Sequence, residues 1–430
     1  MDVILAIVIF IVSYFFIMTE RINRATAALF GGTLLLLTGI YTTEDIFFHY
    51  IDWNTIALLF SMMVIISITE KTGLFTFIAI RFAQSVRGDP MFLLIGSIVL
   101  TAIGSAFLDN VTTVLIFVPV MLKITKLLKL PAFPYLLMII FSSNIGGTAT
   151  LIGDPPNIMI GQAVEHFTFL TFLAHTAPVA LFLLILLILI SYLLFQRRLK
   201  TYQPNLSELL SIDAKENLVE STILYKSVTV LIMTVTGFLL HAAVHVEMTT
   251  IALTGAILLL LLTEKDVKTE EILSKVEWVT LFFFIGLFTI VGGLQHTGVI
   301  DEIARLIVVS TEGDYVKTTL LILWISGFAS GFIDNIPFVA AMIPVIQEFE
   351  TYGMVYLDPI WWALALGSCL GGNATLLGAS ANVVVAGLAE ADNQRISFLR
   401  FMKYGIVIVV LSLIVSTVYI YIRYLIPYMG

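Results

Sequence analysis

The sequence predicts an all-α polytopic membrane protein made of two inverted five-span repeats, each with a re-entrant hairpin and a broken helix. Of its 430 residues 59% are hydrophobic and 12% are charged, and the mean hydropathy is +1.03. Such values exclude a soluble globular domain. Apolar runs of about 17 to 28 residues recur along the chain, and about 20 helical residues span a bilayer. A repeat at a constant offset completes the prediction.

The repeat pairs residue types that chance rarely matches between two apolar segments. Asp109-Asn110 and Asp334-Asn335 lie 225 positions apart (334 − 109). The same offset joins Trp53 with Trp278, Gly73 with Gly298, Pro119 with Pro344, Gly146-Gly147 with Gly371-Gly372, Thr150 with Thr375, Gly153 with Gly378, and Asn157 with Asn382. Because the register never slips between these positions, we interpret the chain as two related halves.

Hydrophobic runs and turn residues place the spans. We predict them at about 2–18, 25–41, 53–70, 135–163 and 168–195, and again at about 226–243, 248–263, 278–295, 358–388 and 403–427. The shorter, more polar segments 72–87 and 299–312 are typical of amphipathic helices at the membrane interface. The resulting division is a first repeat at 1–195, a polar cytoplasmic linker at 196–224 and a second repeat at 225–430.

Each half contains two segments in which no straight span is expected. Segments 91–130 and 315–350 are long enough to enter and leave the membrane on one side, which predicts re-entrant hairpins with Asp-Asn near each tip. The stretch SSNIGGTATLIGDPPNIMIG, 142–161, breaks the helix predicted at 135–163, because glycines permit an unwound turn and adjacent prolines stop a helix. Its counterpart, 366–387, breaks the helix at 358–388.

The paired broken helices indicate a central binding site. Backbone that leaves helical geometry inside a bilayer needs protein groups or a water-lined cavity as hydrogen-bond partners, and transporters place such helices at a central binding site. The alternative is a pair of kinked helices that pack through small residues.

An odd number of spans per half requires the two halves to enter the membrane from opposite sides. With both termini outside, every Lys and Arg except Arg305, Lys317 and Arg423 falls on the cytoplasmic side, as the positive-inside rule expects. The first hairpin then opens to the cytoplasm and the second to the exterior. We predict a multi-pass protein of the plasma membrane with its N-terminus and C-terminus outside.

Carboxylates in the predicted membrane interior are candidates for ion handling. Asp109 and Asp334 occupy equivalent hairpin positions, and we expect them to approach one another. A carboxylate at this depth either holds a proton or binds a cation; alternatively, each caps the helix that follows it. Asp154 has no twin, because position 379 is Ala. It is either a third ion carrier or a cap for the half-helix that begins at Pro155.

The predicted substrate and ion site combines the hairpin tips with the broken helices. It comprises Asp109, Asn110, Thr112, Ser143, Asn144, Gly146, Gly147, Thr148, Thr150, Gly153, Asp154, Asn157, Asp334, Asn335, Ser368, Gly371, Gly372, Asn373, Thr375, Gly378 and Asn382. We predict no metal site, since His241 and His245 lack further converging ligands. The single cysteine, Cys369, is interpreted as a small packing residue.

The motifs also resemble a known family. The paired signatures GGTATLIGDPPN and GGNATLLGASAN, each preceded by an Asp-Asn hairpin, resemble the ion transporter superfamily, most closely its ArsB and melanosomal P-protein branch. The resemblance implies a homodimeric secondary transporter with a scaffold domain and a moving transport domain that holds both hairpins and both broken helices. Members of this superfamily carry arsenite or antimonite, citrate and other carboxylates, or exchange sodium for protons.

We therefore predict an ion-coupled secondary active transporter of a small anion or oxyacid, such as arsenite, antimonite or a carboxylate, with a proton or sodium as coupling ion. A sodium/proton antiporter is the alternative within the class, and a channel is less favoured. No cofactor and no nucleic-acid partner are expected. The chain has no nucleotide-binding P-loop, and no serine of the broken helix has a histidine base in its segment, so an enzyme is not expected.

Overall fold

The computed structural model describes residues 2–19, 21–202, 206–218 and 221–429. Within these ranges the regular structure is helical throughout, which confirms the all-α prediction. Nine described helices are long and apolar enough to cross a membrane, which confirms a polytopic membrane protein.

Nine helices of the first half follow the predicted plan. They are Asp2–Thr19, Arg24–Leu37, Trp53–Lys71, Leu74–Ser85, Pro90–Phe107, Asn110–Leu127, Ala132–Thr148, Pro155–Ala163 and Phe169–Leu199. Pro90–Phe107 and Asn110–Leu127 form the first hairpin. Ala132–Thr148 and Pro155–Ala163 form the first broken helix, with an unwound turn between them.

The second half repeats this order of helices. Its helices are Ser221–Val244, Met248–Thr263, Trp278–His296, Val299–Ser310, Tyr315–Phe332, Asn335–Glu348, Asp358–Gly371, Ser380–Ala391 and Phe398–Ile420. Tyr315–Phe332 and Asn335–Glu348 form the second hairpin, and Asp358–Gly371 and Ser380–Ala391 form the second broken helix. Short helices at Thr43–Asp45, Leu206–Ser211, Thr269–Lys275 and Ile426–Met429, 3₁₀ turns at Ala214–Asn217 and Phe349–Tyr352, and π turns at Ile46–Tyr50 and Tyr421–Leu425 complete the chain.

Several predicted boundaries differ from those of the helices. The span predicted at 25–41 ends at Leu37, because Thr38 caps the helix and Gly39 takes a left-handed conformation with φ of 72°. The polar linker was placed from residue 196, but the preceding helix continues to Leu199. Of the linker, 203–205 and 219–220 lie outside the described residues. Its short helix buries Leu209, whose carbonyl accepts a hydrogen bond from the Gln84 side chain.

The helices pack in two groups. The central helices are the two hairpins, the two broken helices, Phe169–Leu199 and Phe398–Ile420; the flanking helices are Asp2–Thr19, Arg24–Leu37, Trp53–Lys71, Ser221–Val244, Met248–Thr263 and Trp278–His296. The amphipathic helices Leu74–Ser85 and Val299–Ser310 each contact both groups. Each is preceded by a left-handed glycine, Gly73 and Gly298, with φ of 71° and 75°, a conformation in which a side chain would be strained.

Hydrogen bonds recur between the halves at the offset found in the sequence. Ser105 Oγ donates to the Ser143 carbonyl at 2.7 Å, and Ser330 Oγ donates to the Ser368 carbonyl at 2.5 Å. These bonds join the first helix of each hairpin to the first half of the broken helix in the same repeat. The hairpins and broken helices are thus assembled in the same way in both halves. The opposite orientation of the halves in the membrane stays a prediction.

Candidate functional site

Four helices begin and four helices end around one centre in this fold. The starts are Asn110, Pro155, Asn335 and Ser380, and the ends are Phe107, Thr148, Phe332 and Gly371. Hydrogen bonds described below connect all four interruptions. Helix starts carry partial positive charge and helix ends partial negative charge, so the centre offers places for both anions and cations.

The tip aspartates, Asp109 and Asp334, each cap the helix that follows. Asp109 accepts hydrogen bonds from the Thr112 amide at 2.8 Å and the Thr112 hydroxyl at 2.5 Å. Asp334 accepts from the Ile336 amide at 3.2 Å. Both are half-buried, and no bond joins one to the other among the described residues. Capping is therefore part of their role, and their approach to one another stays a prediction.

The tip asparagines, Asn110 and Asn335, are 3% and 2% exposed. The Asn110 amide donates to Asn144 Oδ1 at 3.4 Å, within its own half. The Asn335 amide instead crosses to the other half, where it lies 3.1 and 3.3 Å from the two carboxylate oxygens of Asp154. The second hairpin is thereby tied to the first broken helix.

The turn asparagines, Asn157 and Asn382, hold the two unwound turns closed. The Asn157 amide donates to the carbonyls of Gly147 at 3.3 Å and Thr150 at 2.9 Å. The Asn382 amide donates to the carbonyls of Gly372 at 2.7 Å and Thr375 at 2.9 Å, the equivalent pair. These donors replace the helical bonds lost at the break, so both side chains position the turns.

Asn144 is the hub that connects the halves. Its amide donates to Asn373 Oδ1 at 2.9 Å and to Asn382 Oδ1 at 3.0 Å. All three side chains are fully buried. The Asn373 amide nitrogen is buried and has no hydrogen-bond partner among the described residues.

Asp154 is 1% exposed and makes no side-chain bond to the half-helix that starts at Pro155. Asp154 therefore occupies the N-cap position of this half-helix, but its side chain does not cap it. No cationic side chain forms an ion pair with it in the described part of the chain. A buried carboxylate without a countercharge is unstable in its ionised form, because desolvation is not compensated. Such a group is expected either to be protonated or to bind a cation.

Several predicted binding residues instead use their hydroxyl hydrogens within the protein. Thr150 and Thr375 donate to the carbonyls of Ala106 and Gly331, and Ser143, Ser368 and Thr148 donate to carbonyls of their own helices. These hydroxyls fix the backbone of the site.

The glycines of the site allow close backbone contacts. A Cβ at Gly147 would lie 2.6 Å from the Gly153 carbonyl oxygen, and one at Gly378 would lie 2.7 Å from that of Gly372. Gly146 and Gly371 face the first hairpin helices at Ala102 and Gly327, equally without room for a side chain. The glycines therefore shape the centre.

Three residues of the site were missed in the sequence. Cys369, taken as a packing residue, is fully buried and places Sγ 3.3 Å from Asn157 Oδ1. The repeat offers the signal, because Cys369 is the counterpart of Asn144 (369 − 144 = 225). Arg24, counted only as a cytoplasmic-side charge, pairs with Asp334 at 3.1 Å. Glu277 and Arg24 line one cleft between the helices.

That cleft has a volume of about 460 Å³ and separates flanking from central helices. Arg24, Glu277 and Thr280 line it from the flanking side, and Ser380 and Leu115 line it from the central side. Arg24 also hydrogen-bonds Ser380, whose hydroxyl donates to Asp334 Oδ2 at 2.6 Å. One tip aspartate therefore has a fixed cation.

His241, considered above as a metal ligand, uses a ring nitrogen within the protein. His241 Nε2 accepts a hydrogen bond from the Phe169 amide at 3.3 Å. Across the described ranges no group of three or more His, Cys, Asp or Glu could hold a metal ion.

Comparisons with known proteins agree with this architecture. The citrate transporter family, CitMHS, matches residues 14–367. The chain is 37% identical over 428 residues to a 46 kDa membrane protein of Mycobacterium leprae, covering 98% of this chain and 99% of that protein. It is 32% identical over 494 residues to the P protein of Homo sapiens, covering 96% of this chain and 59% of that protein.

Among solved structures, the YdaH transporter of Alcanivorax borkumensis, described as having an unusual topology, has a TM-score of 0.61 with 13% sequence identity. The match covers 90% of this chain and 87% of that chain. The likeness to YdaH concerns the fold, while the family match and the P-protein similarity confirm the family resemblance indicated by the paired signatures. The chain is a membrane transporter and belongs to the citrate transporter family of the ion transporter superfamily.

Proposed function

We propose that the protein is an ion-coupled secondary active transporter of a small anion or oxyacid. The observation that supports this most is the single hydrogen-bonded centre in which four helix starts, four helix ends and the buried carboxylate of Asp154 meet. A structural core would have no use for an uncompensated carboxylate at this depth.

The anion would bind at the helix starts. Each start carries up to about half a positive elementary charge, and the starts at Pro155 and Ser380 have no side-chain cap. The unpartnered Asn373 amide is a further donor beside them. This chemistry suits a carboxylate, or an oxyacid such as arsenite or antimonite.

The coupling ion, a proton or sodium, would bind at the carboxylates. Asp154 and Asp109 have no fixed cation among the described residues, whereas Asp334 holds Arg24. Helix-end carbonyls of the unwound turns complete the oxygen-rich surroundings that sodium prefers. We assign ion handling to Asp154 first and to the tip aspartates second.

A sodium/proton antiporter is the second candidate, and the charge balance of the centre favours it. The described part of the site contains one cation, Arg24, and four acidic groups. These are Asp109, Asp154, Asp334 and Glu277. An excess of carboxylates attracts cations and repels anions. If no anion is carried, these groups would bind sodium and protons alternately.

Membrane placement and assembly complete the proposal. Both termini lie outside the plasma membrane, and the halves are inverted. The central helices move against the flanking helices within each protomer of a homodimer.

Transport by purified protein in liposomes tests the proposal. Imposed proton and sodium gradients are combined with radiolabelled citrate, smaller carboxylates and arsenite, and protein-free liposomes are the control. Accumulation of one anion that depends on one cation gradient supports the first candidate. Exchange of sodium for protons without any anion supports the antiporter. Uptake that neither saturates nor responds to a gradient would contradict both and indicate a channel.

A further inference from the structure

Arg24 is a cation placed at a hairpin tip. It is the first residue of the helix Arg24–Leu37, whose start is capped by Asn23. Its guanidinium contacts Asp334 at 3.1 Å and lies 5.2 Å from the centre of the Phe283 ring. The side chains of Arg24 and Asp334 are 21% and 16% exposed, so the pair is largely shielded from solvent. Ion pairs in such surroundings are stronger than at an open surface.

The pair has no equivalent in the other half. The counterpart of Arg24 is Thr249, whose hydroxyl donates to the Asn54 carbonyl at 3.3 Å. The counterpart of Ser380 is Pro155, which has no hydroxyl. Asp109 accepts hydrogen bonds from Thr112 and has no ion-pair partner among the described residues. The first hairpin tip forms without an arginine, so the fold itself does not require one there.

The pair also joins the two groups of helices. Arg24 belongs to a flanking helix, while Asp334 and Ser380 belong to central helices. Close by, Tyr14 on the first flanking helix donates to the Pro337 carbonyl at 2.6 Å. Movement of the second hairpin relative to the flanking helices therefore requires the Arg24–Asp334 contact to break.

We propose that Arg24 is a tethered counter-cation that competes with the coupling ion for Asp334. The proposal rests on the ion-coupled transport proposed above and assigns it a residue. A single carboxylate compensates one positive charge, so the guanidinium and a bound cation exclude each other at Asp334. Binding of the coupling ion releases Arg24 and frees the second hairpin. Without the ion, Arg24 holds the hairpin against the flanking helices, which prevents movement of the empty site.

The cleft supplies a second acceptor for the released side chain. Glu277 lines the same cleft as Arg24 and Ser380, and its carboxylate currently accepts a hydrogen bond from the Thr280 hydroxyl at 3.1 Å. A guanidinium that leaves Asp334 can therefore pair with Glu277 without entering lipid. Arginine suits this exchange because its charge is permanent and its long side chain can redirect the guanidinium.

The test measures the concentration of coupling cation that gives half-maximal transport in proteoliposomes. Sodium is varied at fixed pH, and pH is varied without sodium. Arg24→Gln removes the competing cation at similar size. We expect the half-maximal concentration to fall about tenfold, since hydrogen bonds to charged groups contribute enough for such a change. Arg24→Lys keeps a charge without the forked geometry and should lie between Arg24→Gln and the unmodified protein.

Arg21→Gln is the matched control, because Arg21 is exposed and lies three positions earlier (24 − 21). An equal half-maximal concentration in Arg24→Gln and Arg21→Gln would overturn the proposal while leaving coupled transport intact. If the unmodified protein responds to neither gradient, the proposed coupling itself fails. Should Arg24→Gln yield no stable protein, Arg24→Lys decides: a value unchanged from the unmodified protein would count against competition.

Discussion

Replacing Asn144 with alanine should disconnect the two halves of the site. Asn144 accepts a hydrogen bond from Asn110 and donates to Asn373 and Asn382, all in a fully or nearly fully buried environment. Its counterpart, Cys369, makes only weak thiol contacts, with Asn157 and Asp154 among its neighbours. The repeat thus provides an internal control, because both residues stand at the same place in their broken helices.

The magnitude follows from the partners left behind. Asn144→Ala strands one amide donor and two carbonyl acceptors, and each buried group without a partner costs about 1–3 kcal/mol. We expect a loss of about 3 kcal/mol or more, reduced where water enters the vacated space. Cys369→Ala removes a weak donor and a small volume, so about 1 kcal/mol is expected.

The assay compares the two variants in detergent and in liposomes. Thermal unfolding followed by size-exclusion chromatography should show Asn144→Ala melting several degrees below Cys369→Ala at matched protein concentration. Ion-coupled uptake should be lost in Asn144→Ala and largely retained in Cys369→Ala. If the two variants melt together and transport equally well, the amide network neither stabilises the centre nor connects its halves.

Further predictions concern individual groups. Alanine at either tip asparagine should abolish transport with near-normal expression; if these residues only help to start their helices, a loss of about 1 kcal/mol with transport retained is expected instead. Asp154→Asn preserves the shape but cannot bind a cation or release a proton, so gradient-driven accumulation should be lost while substrate exchange persists, and full accumulation would refute this assignment. Gly371→Ala, whose Cβ would lie 2.9 Å from Gly327 Cα, should destabilise by about 1–3 kcal/mol, whereas Gly387→Ala, which meets nothing within 4 Å, should be neutral or slightly stabilising. Single cysteines near Lys126 and Lys317 in a Cys369→Ala background should be labelled from opposite sides of the membrane, and labelling from one side would refute the inverted arrangement.

The helical plan could be predicted because each element depends on local sequence. Apolar runs, the left-handed glycines Gly73 and Gly298, and the prolines at Pro155 and Pro156 all act within a few residues of the boundary that they set. The second span was predicted too long because the apolar residues Ile40 and Tyr41 follow Thr38 and Gly39. The helix ends instead where Gly39 turns the chain.

The sequence indicated many of the polar residues that meet at the centre but not the bonds between them. The repeat and the small polar residues identified the hairpin tips and turns, whereas the partner of each side chain depends on packing between distant segments. Asn335 and Asp154 are 181 positions apart, and Arg24 and Asp334 are 310 apart. A single sequence contains no signal for such pairs. The same limit explains why Asp154 could be taken as a cap, since an aspartate before proline is an ordinary helix start.

The symmetric and asymmetric residues of the centre have different consequences. The matched bonds of Ser105 and Ser330, and those of the turn asparagines, build the same frame in both halves. A frame that is equivalent in both halves cannot by itself decide which side chain holds an ion.

Positions at which the two halves differ can determine which side chain holds an ion. At equivalent positions of the repeat, Asp154 corresponds to Ala379, Asn144 to Cys369, and Arg24 to Thr249. Asp154 and Arg24 give one half an uncompensated carboxylate and the other half a compensated one. An ion that binds Asp154 at the first unwound turn and an ion that displaces Arg24 at the second hairpin tip would therefore experience different free energies. Because coupling requires that ion binding change the balance between conformations, we expect changes at these unequal positions to alter coupling, and changes to the matched frame to alter stability.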